Sequence, residues 1–172
     1  MPPQFLIFGN LTREFILPAT GQPRLDVPGG DLLYSAAGLR VWEPNVGLVS
    51  RVGDDYPRAW LNDCKKRGLD TSGVKILPQK LDVRDFIAYT DTFEVSRINP
   101  ISHFSRRGYT FPKSMLAYQP PAERPFTEAR RMLVSDIPED YLAARAALIC
   151  PMDLSTQNQL IAGLKRGRVH TF

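Results

Sequence analysis

Short apolar runs alternate with helix-patterned segments along this chain, and that order restricts it to few architectures. Phe5 to Phe8 reads FLIF, a continuous apolar run that stops at Gly9, as expected of a strand buried on both faces of a parallel sheet. Leu32, Ala36 and Leu39 then recur at helical spacing behind the double glycine Gly29-Gly30, with Asp31 in the first turn. Val46 to Val52 reads as the next strand. Pro57 opens a further helix in which Trp60, Leu61 and Cys64 share a face, and Gly68 suits a left-handed cap. Ala147 to Cys150 reads as a third strand. Ser155 is placed to cap a helix carrying Leu160, Ile161 and Leu164, Gly167 ends it, and a fourth strand is expected from Val169 onward. The expectation is an α/β fold, a Rossmann-like, three-layer body around a parallel sheet.

The middle of the chain differs. Leu81 to Ile98 is β-rich and reads as an antiparallel hairpin, while Asn99 to Pro125 is dense in proline and aromatic residues and reads as an irregular connection. With the extended piece before Gly29, the hairpin predicts a small projecting antiparallel β lid, its strands at about residues 22–28 and 83–98.

A chain of 172 residues suits a single domain. No apolar run approaches the roughly 18 residues of a membrane span, and no charged-then-apolar leader is read at its start. The expected location is therefore cytoplasmic, with no membrane partner. Cys64 and Cys150 fit reduced thiols better than a disulfide framework. The net charge of +4 is small and spread over separate basic pairs, so a nucleic-acid partner is not expected. His103 and His170 share no metal-ligand spacing with each other or with the cysteines, and no metal site is expected. Trp42 and Trp60 read most simply as core-facing aromatics.

Taken alone, Gly29-Gly30 is a permissive turn, Gly53-Asp54-Asp55 is turn and cap chemistry, and Glu14 is a solvated acid. Their order changes the reading. FLIFGNLTREF, then GGDLLYSAAGLRVW, then VGLVSRVGDDYPRAWLNDCKKRGLDTSGV resembles the N-terminal portion of the ribokinase/PfkB carbohydrate kinase family. The resemblance runs from Phe5 to about Leu77 and continues beyond it in rhythm only. It places Glu14, five residues after Gly9, where the family carries an acid that holds sugar hydroxyls. Gly29 and Gly30 match the paired glycines of the sugar pocket. Val52-Gly53-Asp54-Asp55 and Gly68-Leu69-Asp70-Thr71-Ser72 match two further family phrases, and Asp153 falls where a pocket-lining polar residue is common. Tyr34 stands where the family carries an Asn, and Glu14 is one methylene longer than the usual Asp, so the chain resembles a divergent member. The implied substrate-binding set is Glu14, Gly29, Gly30, Tyr34 and Asp153.

The family's second signature, a DTxGAGD phrase that supplies an anion hole and the catalytic Asp, does not occur in these residues. Phosphoryl transfer needs such charge-neutralising donors. The resemblance therefore implies an N-terminal part, residues 1–172, of a PfkB-type kinase whose ATP-binding half lies beyond Phe172. ATP and Mg2+ are expected for the full-length protein and not for this part alone, which is expected to be inactive. The acceptor would be a sugar-like alcohol or nucleoside, and a homodimer would form through the lid. The alternative is a non-catalytic ribokinase-like module that binds a small ligand or a protein.

Overall fold

In the computed structural model, which describes residues 2–92, 94–124 and 127–172, the chain runs β1 (Phe5–Phe8), β2 (Thr12–Leu17), β3 (Arg24–Gly29), α1 (Asp31–Leu39), β4 (Val46–Val52), α2 (Arg58–Lys66), β5 (Leu69–Ile76), β6 (Arg84–Tyr89), β7 (Val95–Ser96) and α3 (Pro100–Arg106). Short 3-10 turns follow between Lys113 and Ala143, then β8 (Ala146–Ile149) and α4 (Leu154–Leu164). Phe93 and Pro125, which belong to the stretches read as hairpin and irregular connection, lie outside the described residues. The fold is mixed α/β and divides into two compact units, one of residues 2–11, 30–82 and 127–172, the other of residues 12–29 and 83–124.

The first unit holds a four-stranded parallel sheet in the order β5-β4-β1-β8. The apolar run of β1 is central because it is flanked on both sides: Leu6 pairs with Gly47 of β4 and Ala147 of β8. Alternation sends Leu6 and Phe8 to one face, where they pack with Tyr141, Leu160, Leu164 and Val169. Ile7 points the other way, and α1 lies against β1 and β4 through buried Leu32 and Ala36. Arg51 is the charged residue of β4. It donates to both carboxylate oxygens of Asp136, at 2.6 and 3.0 Å, and ties the connection before β8 to the sheet. Gly68, at φ +82, closes α2 in the left-handed conformation expected of it.

Four expectations need correction here. Val169 is buried in the core but begins no strand; only an isolated parallel bridge joins Thr171 to Ala146. Asp153, not Ser155, caps α4, its carboxylate accepting from Thr156 N at 2.9 Å. The last strand of the sheet begins at Ala146 rather than Ala147. Trp42 is 85% exposed, because α1 ends at Leu39 and the indole falls in the following turn instead of on a helix face.

The second unit holds a sheet in the order β3-β2-β6-β7. β3 with β2 and β6 with β7 are antiparallel, as expected of the lid strands, but β2 and β6 pair in parallel. One face carries Phe15, Leu17, Phe86 and Ala88, covered by Phe104 of α3 and Met115. The stretch read as wholly irregular thus contains a helix. Pro100 pre-sets its first turn and buried Phe104 anchors it. Arg84 donates to the carbonyls of Ser114 and Leu116, at 2.8 and 3.0 Å, and the cations of Arg84 and Arg124 lie 5.9 and 5.4 Å from the Tyr118 ring centre.

Candidate functional site

Glu14 sits in β2 on the face opposite the Phe15 and Leu17 core and is only 3% exposed. A carboxylate is rarely buried without partners. Thr12 Oγ1 donates to its Oε1 at 3.2 Å. On the neighbouring strand, Asp26 is the extra residue of a bulge, because Glu14 pairs with Val27 while Phe15 pairs with Leu25. Asp26 takes φ 55, and Arg13 donates to both its oxygens at 2.8 Å. The bulge and its ion pair fix the strand beside Glu14.

Gly29 ends β3 opposite Thr12. A Cβ on Gly29 would stand 2.0 Å from Glu14 Cδ and 2.2 Å from Oε1, so the carboxyl group rests directly on glycine backbone. A side chain there would require the carboxyl group to move. Gly30 has a separate requirement. Its φ of 102 lies in the glycine region, and it opens α1 with its carbonyl accepting from Tyr34 N at 3.2 Å. The double glycine is therefore one close approach followed by one backbone angle.

Of the residues singled out from the sequence, Glu14 and Gly29 are brought into contact. Gly30 and Tyr34 share the first turns of α1, where the Tyr34 side chain is 60% exposed. Asp153 caps α4, and its hydrogen bonds to Thr156 hold its carboxyl below the usual carboxylate range. Gly9 serves the start of α1: a Cβ there would lie 2.7 Å from Asp31 Oδ1, which accepts from Asn10 N at 2.5 Å and Leu32 N at 2.8 Å. Cys150 joins this corner with Sγ 3.6 Å from Ser35 Oγ, and burial pushes its thiol up. Asp55 works as a turn acceptor for Leu81 N at 3.1 Å.

Two residues near Glu14 escape a reading of the sequence. The parallel pairing of β2 with β6 sets Asp85 in register with Glu14, on the same side of the sheet. Arg97, just past β7, donates to Asp85 Oδ2. That hydrogen bond, against the lowering effect of burial, raises the guanidinium further above its ordinary range. Asp85 Oδ1 is buried and has no hydrogen-bond partner among the described residues. No pattern in LDVRDFIAY marks this pairing, because register between strands so distant in sequence is a tertiary outcome. A separate cavity of about 480 Å³ in the second unit, walled by Ile98, Ile101, Phe111, Met115 and Leu116, includes none of these residues.

No protein-family model matches the chain. A cytidine kinase of Thermococcus kodakarensis is 28% identical over 164 residues, an alignment that covers 95% of this chain and 49% of that protein. Among solved structures, a Burkholderia thailandensis nucleoside kinase in complex with inosine superposes with a TM-score of 0.65 at 14% identity, over 97% of this chain and 51% of its own. The fold is ribokinase-like. An E. coli ribokinase II in complex with ATP and Mg2+ gives a TM-score of 0.60 at 13% identity, over 98% of this chain and 52% of that one. The ribokinase/PfkB resemblance read from the sequence is thus supported by sugar and nucleoside kinases. The ribokinase-like chain spans about half the length of the relatives it matches. Among its described residues no helix is long and apolar enough to cross a membrane.

Proposed function

We propose that this chain is the acceptor-holding N-terminal part of an ATP-dependent kinase for a sugar-like alcohol or nucleoside. The observation that carries the reading is the Glu14 carboxylate, buried and seated on the bare backbone of Gly29. A desolvated carboxylate held by a bulged strand has two oxygens that accept hydrogen bonds, and vicinal hydroxyls are donors matched to them. Gly29 supports the reading by its lack of a side chain, which allows the carboxyl group its position. Gly30, Tyr34 and Asp153 join the substrate-binding set on the strength of the family resemblance, and Asp153 would do so in addition to capping α4.

Among the described residues no triphosphate site is assigned. Its only double glycine is taken up by the Glu14 contact and the α1 cap, and no glycine-rich phosphate loop follows any of its strands. No catalytic base is assigned among these residues. ATP with Mg2+ would supply the phosphoryl group in the whole protein, together with the base and anion hole of its other half. Cytidine and inosine, named for the relative and the fold neighbour, favour nucleosides as the first acceptors to try.

Calorimetric titration of a panel of pentoses and ribonucleosides into the chain tests this reading. Saturable binding of at least one of them, without ATP turnover, is the expected result. ATP turnover above that of a Glu14→Ala control would contradict it, and so would failure of every member of the panel to bind.

A further inference from the structure

We propose that Asp85 and Arg97 form a base-reading pair beside Glu14, selecting an acceptor whose heterocycle presents an amino group next to a ring-nitrogen acceptor, the edge of an aminopyrimidine nucleoside. This rests on the reading of the chain as the acceptor-holding part of a kinase.

The placement comes from the second sheet. In a parallel pair, residues in register lie side by side on one face, roughly 4.8 Å apart across the strands. Glu14 and Asp85 are such a pair, and the opposite face is filled by Phe15, Leu17, Phe86 and Ala88. β7 pairs with β6 through Ala88 and Ser96, so the register carries Arg97 to the position beside Ile87, on the face of Asp85, and its side chain reaches along the strand to the Asp85 carboxylate. The three charged groups are therefore set by one sheet.

Their hydrogen bonding is unequal. Glu14 already accepts from the Thr12 hydroxyl, and Arg97 holds Asp85 Oδ2. Asp85 Oδ1 has no partner among the described residues, although it is shielded from solvent. The nearby Tyr118 hydroxyl oxygen accepts from the Phe86 N–H at 3.1 Å. Arg97 is half exposed, so its guanidinium reaches solvent from beside the buried carboxylate. A guanidinium carries five N–H donors in a fixed plane.

An acceptor beside planar donors reads a ligand edge that is itself donor beside acceptor. The exocyclic amine of cytosine donates to a carboxylate, and its ring N3 accepts from a guanidinium. Uracil presents the reverse order, a carbonyl where the amine stood and an N–H where N3 stood. That would set a carbonyl oxygen against Asp85 and an N–H against Arg97. A bare pentose has no planar edge that spans both groups, so its binding does not depend on the pair. A shielded acceptor left without a donor is what makes such a site reject the wrong analogue.

The test is calorimetric titration of cytidine, uridine and D-ribose into the 172-residue chain, for the wild type, Asp85→Asn and Arg97→Lys. Thermal unfolding of each variant verifies that it is folded. Cytidine should bind at least about tenfold more tightly than uridine. Asp85→Asn should remove that preference while leaving ribose binding within about twofold of the wild type. Arg97→Lys keeps a cation beside Asp85 but loses the planar fork, and it should weaken cytidine selectively, which maintains the test if Asp85→Asn does not fold. Equal binding of cytidine and uridine by the wild type, with ribose bound, overturns the base-reading pair and leaves the acceptor-holding role standing. An equal loss of all three ligands in Asp85→Asn likewise overturns it. If none of the three binds the wild type, both proposals fall.

Discussion

The Glu14 carboxyl group fills the space a side chain on Gly29 would take, since a Cβ there would stand 2.0 Å from Glu14 Cδ. Two neighbouring strands can hold them so only because one residue lacks a side chain. Gly29→Ala should therefore push the carboxyl group out of place and cost about 1–3 kcal/mol in stability by overpacking. Chemical denaturation reads the stability. Unchanged stability in Gly29→Ala would show that the carboxyl group rotates away without penalty.

The bidentate pair of Arg51 and Asp136, with side chains 10% and 2% exposed, makes a second prediction. Removing one partner strands the other charge in a dry setting. Asp136 also accepts from Leu133 N at 2.8 Å, so Asp136→Ala loses a turn contact as well. The expected cost is about 3–5 kcal/mol. A urea midpoint close to that of the wild type would contradict the pair's role in holding the connection before β8.

Much of the first unit is legible in the sequence, and the reasons are local. The β4 strand coincides with the run read from Val46 to Val52, where the recurring apolar residues of VGLVSRV show the strand pattern. The helices α1 and α2 show their spacing and their glycine punctuation. By contrast, β2 reads TREFIL and β5 reads LDTSGVKI, and neither is apolar enough to declare itself. Pairing with β6 and with β4 makes them strands, a tertiary effect that overrides local composition. Trp42 misleads for a related reason: hydrophobicity says where a side chain prefers to be, not where its helix stops. At the candidate site, Glu14 and the glycines are visible through family order, whereas Asp85 and Arg97 depend on register.

Tyr141 links pH to stability. Its ring is fully buried, its hydroxyl donates to the Asp70 carbonyl at 3.2 Å, and burial raises its pKa far above that of a free phenol. Above about pH 10 the unfolded chain loses this proton while the native protein keeps it. Stability from this group is thus fully present below the unfolded pKa and falls as pH rises, by about 1.4 kcal/mol per pH unit. Tyr141→Phe should flatten the alkaline slope of denaturation midpoints between pH 9.5 and 11.5, a window chosen around the ordinary phenol pKa of about 10. An identical slope in wild type and variant would contradict the assignment.

The most direct test of the central claim is the affinity of the chain for its best-bound nucleoside, compared between the wild type and Glu14→Gln. The amide preserves the shape against Gly29 and removes one of the two charged acceptors. With the variant folded by thermal unfolding, affinity should fall by about tenfold or more, as expected for loss of a charge-assisted hydrogen bond of about 1.5–3 kcal/mol. Equal affinity in the two proteins would contradict the account, because it would mean that the buried carboxylate on Gly29 holds no part of the ligand.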